Sequence, residues 1–262
     1  MEPKPPLPAP VAEAKPGRTD RMVKEILWWT CLLVAPMVLI TIELFHPAGF
    51  TAHPGMYQFL AHPEHGEPRF QALAYFGPGW WFTLHMIQTP MVGLVAVGLW
   101  QIIEPIGGLG GAASTCAWLA RAATWVFLVY YTVLDAIGGI GLGQTIVTVQ
   151  NLVADGRLNP QQLEGIVLLL NTMWTDPWIG GVRSVISQTG SWAVFVAALF
   201  AAAALLLERR ADWVGIVPLL AFGWELQTSH ASPHGPIAFA LLIITAGRIW
   251  WLRRRAGTIH HQ

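Results

Sequence analysis

The sequence predicts an all-α fold, a polytopic transmembrane helical bundle of about six spans with both termini cytoplasmic. Three observations lead there. Of 262 residues, 54% are hydrophobic and only 11% charged, against roughly 25% charged in a soluble domain, so the chain lacks the surface to face water all round. Several apolar runs approach or exceed the roughly 20 residues that cross a bilayer. Lysine and arginine gather in alternate connections, as the positive-inside bias requires.

Taken in order, residues 1–22 are rich in proline, alanine and charge without apolar periodicity, which predicts a disordered cytoplasmic tail. A single membrane domain follows over 23–256, with 257–262 as a C-terminal tail. Its spans cover about 25–46, 79–103, 117–150, 184–207, 212–228 and 236–252. The third passes through AIGGIGLG, whose glycines predict tight helix packing or a break. Outer loops span 47–78 and 151–183. The first holds His53, His62, His65 and several prolines, so turns rather than a long helix order it. In the second, Asn159 is placed to cap a helix opening at Pro160, with Glu164 in its first turns. Its apolar positions suit an amphipathic helix over 160–174, lying on the outer surface or lidding the bundle.

Orientation follows from the basic residues. Lys15, Arg18, Arg21 and Lys24 precede span one, and Arg121 opens span three. Arg209 and Arg210 separate spans four and five, and Arg253, Arg254 and Arg255 follow span six. Six spans put all of these on one side and leave only Arg69, Arg157 and Arg183 on the other, which predicts a cell inner-membrane protein with cytoplasmic ends.

That topology collects ionisable residues near the opposite, extracytoplasmic face: Glu43, His46, His85, Asp135, Glu225, His230 and His234. Ionisable groups at membrane depth are costly and usually mark a working site. Glu43 and His46 are three apart and share a helix face, as do Tyr131 and Asp135, four apart. In HASPH, Pro233 predicts a turn between His230 and His234 rather than a helical pair. Imidazoles with carboxylates are the donor set for Zn, Fe or Cu, so His46, His85, His230 and His234 are the candidate metal ligands. Asp135, Glu43 and Glu225 are the candidate catalytic or ligand-orienting carboxylates. A haem near the outer rim, with His85 and either His46 or His230 as axial ligands, is the alternative cofactor. Each residue also has a structural reading, since His and Glu at helix ends cap helices and face headgroup water.

Other classes are excluded or left open. No lysine follows Lys24, which excludes a retinal-type Schiff base in the bundle, and GxSxG is missing. Net charge is zero, without a basic run interleaved with aromatics, so no nucleic acid is expected as a partner. Cys31 and Cys116 form no CxxC pattern and are packing residues. Trp28–Trp29, Trp80–Trp81 and Trp250–Trp251 stand at span ends, where interfacial anchors sit. The leading expectation is metal-dependent or redox chemistry, as an oxidoreductase or hydrolase, on a lipophilic or periplasmic substrate. A cation- or proton-coupled transporter and a non-catalytic subunit of a membrane complex are the rivals.

No family is recognised over the whole chain, but two membrane metalloenzyme groups share part of the pattern. His85, Asp135, His230 and His234 resemble the zinc set of the ceramidase and adiponectin-receptor-like hydrolases, three histidines with a nearby aspartate. The resemblance implies zinc-dependent hydrolysis. The chain departs from that group in having six spans instead of seven, Trp81 where a serine precedes the histidine, and HASPH at a helix end. His46, His85, His230 and His234 are similar in number and order to the four iron-binding histidines of the carotene-cleaving membrane dioxygenases, while the surrounding motifs differ.

Overall fold

Long apolar runs without turn signals become helices, because in hydrocarbon every backbone polar group must be satisfied within its own segment. The computed structural model describes residues 17–47, 55–61, 77–108, 110–181 and 183–259, and contains no strand among them. Helix α1 (Arg18–Trp29) runs through a π-helical turn (Thr30–Val34) into α2 (Ala35–Glu43). The widened turn has a local cause: Pro36 lacks an N–H and would clash with the carbonyl four residues back, so the ladder stretches ahead of it. A short α3 (Met56–Ala61) precedes α4 (Gly77–Ile103). Helix α5 (Gly111–Leu134), a second π segment (Asp135–Gly141) and α6 (Leu142–Ala154) form one continuous rod. After α7 (Pro160–Trp174) come α8 (Val185–Leu207), α9 (Trp213–Thr228) and α10 (His234–Ile259).

Five of these rods are long and apolar enough to cross a membrane: Thr19–Glu43, Gly77–Ile106, Gly111–Ala154, Val185–Leu207 and His234–Arg255. The predicted fifth span, α9, has 16 residues and reaches about 24 Å, somewhat short of a bilayer core. The rods close into a ring in which α2 packs on α4, α4 on α5, α5 on α8, α8 on α9, α9 on α10, and α10 back on α2. Its interior is one apolar core, from Leu32 and Leu39 through Phe127 and Val194 to Phe222 and Phe239.

Several expectations change. The helix begins at Arg18, so residues 18–22 of the predicted tail belong to α1. The π segment shows that AIGGIGLG does not break the third rod, which spans 44 residues. At 1.5 Å per residue that is about 66 Å, twice a hydrocarbon core, so part of the rod must tilt or project. Helix α10 continues past the predicted boundary at 256 to Ile259. Most of the first outer loop, with His53, His62, His65 and Arg69, lies outside the described residues.

The second loop forms as expected. Asn159 Oδ1 accepts from the Gln162 N–H at 2.8 Å while Gln162 Oε1 accepts from the Asn159 N–H at 2.9 Å, a reciprocal cap with Pro160 in the first turn. Helix α7 buries only Leu170 and leaves Leu168 and Leu169 exposed. Asn171 ties it to α3, accepting from the Tyr57 N–H at 3.0 Å and donating to Gln58 Oε1 at 3.1 Å. Together α3, α6 and α7 enclose a smaller core containing Met56, Leu60, Trp81, Ile146 and Leu170, which roofs one end of the ring.

The two ends of the bundle differ in charge. Where α1 begins and α4 and α10 end, Lys24 pairs with Glu104 at 3.3 Å, and Arg254 with Glu25. There Arg253 donates to the Ile102 carbonyl at 2.7 Å and Arg121 to the Ile103 carbonyl at 3.2 Å. The histidines and buried carboxylates gather at the other end, under the roof.

Candidate metal centre

Three histidines from three separate parts of the chain converge where the ring meets its roof. His46 follows the end of α2, His85 lies two turns into α4, and His230 sits in the turn between α9 and α10. One ligand nitrogen from each lies within 4.8 Å of the other two. The ring centroids of His46 lie 4.9 Å from His230 and 5.6 Å from His85, with 6.4 Å between His85 and His230.

Backbone carbonyls set the tautomers. His85 Nδ1 lies 2.7 Å from the Trp81 carbonyl and His46 Nδ1 lies 3.1 Å from the Pro47 carbonyl. A carbonyl only accepts, so each Nδ1 bears the hydrogen and donates it, leaving Nε2 as the basic nitrogen. Metal-binding histidines are commonly held this way. His46 and His230 lie beyond the helix ends. Burial, then the neighbouring imidazoles, push His46 well below the ordinary histidine value, and His230 down to about 3. His230 is partly exposed as a residue, but its Nε2 is sealed from solvent. Neutral imidazole is the form that binds metal.

Local sequence explains each placement. Gly139, in the π segment, lies against the His85 ring, so that a Cβ built there would fall 2.2 Å from His85 Cγ. Trp81 is buried, its ring lies tilted 4.7 Å from that of His85 and edge-on 5.0 Å from that of His46, and its Nε1 donates to the Gly138 carbonyl at 2.9 Å. The α9–α10 turn presents His230 because α10 starts afresh at His234, and Gly235 admits the His230 carbonyl where a Cβ would collide.

Asp135 opens the π segment, fully buried, and accepts from the Thr89 hydroxyl at 3.2 Å. Gln88 donates to the Tyr131 hydroxyl at 2.6 Å. Glu43 is also fully buried, with neither carboxylate oxygen hydrogen-bonded. A cavity of about 20 Å³ lies between His85, His230 and Asp135 under Trp174. That holds one water-sized ligand. The three close ligand nitrogens and this small cavity suit a single ion.

The structure thus brings together His46, His85 and His230, with Asp135 beside them and Glu43 nearby. It does not bring in His234, a predicted ligand, or Glu225. His234 Nδ1 lies 2.7 Å from Glu225 Oε2, both partly exposed, in a separate pair joining α10 to α9. Pro233 is the reason: the turn it makes points the two histidines of HASPH to different neighbours. Trp81 and Trp174 are the site residues that sequence reasoning missed. Trp81 stands at a span end like an interfacial anchor, and only the roof of α3, α6 and α7 turns that position into an interior one.

Comparison with known proteins adds no relative: the chain matches no family model, no curated protein and no solved structure.

Proposed function

We propose that this is a six-span inner-membrane metalloenzyme whose three-histidine ion, near the extracytoplasmic face, performs metal-dependent chemistry on a lipophilic or periplasmic substrate. The observation behind the proposal is the convergence of His46, His85 and His230, with ligand nitrogens within 4.8 Å of one another. Three protein ligands with a further position left over is the pattern of catalytic rather than structural zinc sites. A bound ion would supply Lewis acidity or redox chemistry and, at the remaining position, an acidified water. Asp135, across the water-sized cavity from His85 and His230, is positioned to accept a proton there.

Substrate access belongs to the roof. Trp174 at the end of α7 lines the cavity, while Leu168 and Leu169 on the same helix face outward as a lipid-contacting surface would. Orientation rests on the charge difference between the ends, with the basic end cytoplasmic. The transport alternative is weaker, because the buried carboxylates Glu43 and Asp135 lie at one end and no further buried acid extends a path inward among the described residues.

Metal analysis of detergent-purified protein, loaded in turn with Zn(II), Co(II) and Fe(II), tests the proposal. Wild type is expected to retain about one ion per chain, and the Co(II) form to show the visible absorption of a low-coordinate nitrogen site. His46→Ala, His85→Ala and His230→Ala should each lose most of the ion, while His234→Ala keeps it. Wild type that retains no ion refutes the proposal and favours a non-catalytic complex subunit; equal retention in all four variants refutes the site.

A further inference from the structure

The three imidazoles do not explain why two carboxylates are buried beside them. Glu43 and Asp135 are both sealed from solvent. Neither oxygen of Glu43 has a hydrogen-bond partner, nor does Oε1 of the buried Gln88. Asp135 has the Thr89 hydroxyl, at 3.2 Å. The two carboxylates are close enough to interact electrostatically with each other and with Tyr131, the residue Gln88 bonds. Among the described residues no lysine or arginine is paired with either. A buried carboxylate needs a cation beside it and otherwise stays protonated, and buried acceptors without donors call for a water or an ion. Three neutral imidazoles bring no charge to meet them.

Building on the three-histidine reading, we infer that the centre is made for a divalent ion, with Glu43 and Asp135 as its charge balance, and that it discriminates against monovalent copper. One divalent cation that displaces a proton from each of the two buried carboxyls leaves a net charge of zero around the site. Cu(I) leaves a net negative charge there, and a trivalent ion a net positive one. The donors agree, since imidazole and carboxylate suit Zn(II), Fe(II) and Co(II), whereas Cu(I) favours thiolate and thioether. Neither cysteine is at the site: Cys31 packs against Gly98 deep in α4, and Cys116 lies early in α5. Because the carboxylate oxygens fall outside the mutually close set of ligand atoms, they act on the ion through space and through the groups around it.

Metal-stripped full-length protein in detergent is titrated with Co(II) and, separately, with Cu(I) against a competing chelator, for wild type, Glu43→Gln and Asp135→Asn. Wild type should prefer Co(II). Each variant should bind Co(II) about 10- to 100-fold more weakly, with Cu(I) affinity unchanged or raised. The amides keep the side-chain shape and, like the protonated carboxyls of the metal-free protein, carry no charge, so the metal-free variants should melt close to wild type. Preference of wild type for Cu(I), or undiminished Co(II) binding in both variants, overturns the inference and leaves the three-histidine site standing. The wild-type preference decides the matter even if a variant fails to fold. A wild type that binds neither ion overturns both readings.

Discussion

At the residue scale, His46 and His230 show how enclosure prepares a ligand. Burial, reinforced by neighbouring imidazoles, holds His230 at about 3 and His46 well below its usual value, so both remain neutral over the range where a free histidine gains a proton near 6.5. The consequence for stability has a definite sign. Below about pH 6.5 the unfolded chain takes up protons that the folded one refuses, so stability is complete above that value and falls as pH drops toward about 3. Compared with a metal-free His46→Ala, His230→Ala double variant, the metal-free wild type should therefore lose several degrees more of melting temperature between about pH 7 and about pH 5, followed by tryptophan fluorescence on heating. Equal acid sensitivity in the two proteins contradicts this account. His85, His46 and Asp135 were legible in the sequence because an imidazole or carboxylate near an apolar span demands a reason. His234 misled for a physical cause: spacing shows that two histidines are near each other, but not which neighbour each will face. Its partner Glu225 belongs to a different helix.

At the element scale, the π segment Asp135–Gly141 does two things at once: Asp135 begins it, and Gly139 within it seats the His85 ring. The sequence marked this stretch by its glycines, and close approach was foreseeable from them; that the rod stays continuous was not, since a run of glycine in an apolar span is compatible with either outcome. Gly139→Ala puts a methyl group where the imidazole stands. The expected cost is about 1–3 kcal/mol of stability together with loss of bound ion. Gly165→Ala in α7, where a Cβ meets nothing within 4 Å, should be neutral or mildly stabilising, because alanine favours helix over glycine by up to about 1 kcal/mol. Thermal melts and metal analysis of the two variants check both. If Gly139→Ala keeps its ion and its stability, His85 is not held as described. In the roof, α7 as a lid was one of the two positions its apolar face allowed, whereas α3 was the element least visible beforehand. The short α3 offers little periodicity, and its contacts with α6 and α7 join distant parts of the chain, which local pattern does not encode.

At the scale of the whole molecule, the six-rod ring places a basic end opposite a histidine end, and apolar run lengths gave its rods to within a few residues at most boundaries. Orientation is open to a direct test. A green fluorescent protein fused after Gln262 should fluoresce, and an alkaline phosphatase at the same point should be inactive, since the one works only in the cytoplasm and the other only outside it. The reverse result would put the basic end outside and remove the basis for a periplasmic site.

The three clustered histidines are also spread along the chain in a way that matters for how such a centre would be made. His46 follows α2, His85 belongs to α4, and His230 comes just before α10. No partly synthesised chain ending before His230 can offer all three, so an ion held by them would load only once the turn ahead of α10 is in place. Such an ion would join segments synthesised far apart in time. A truncated chain would betray itself by remaining empty.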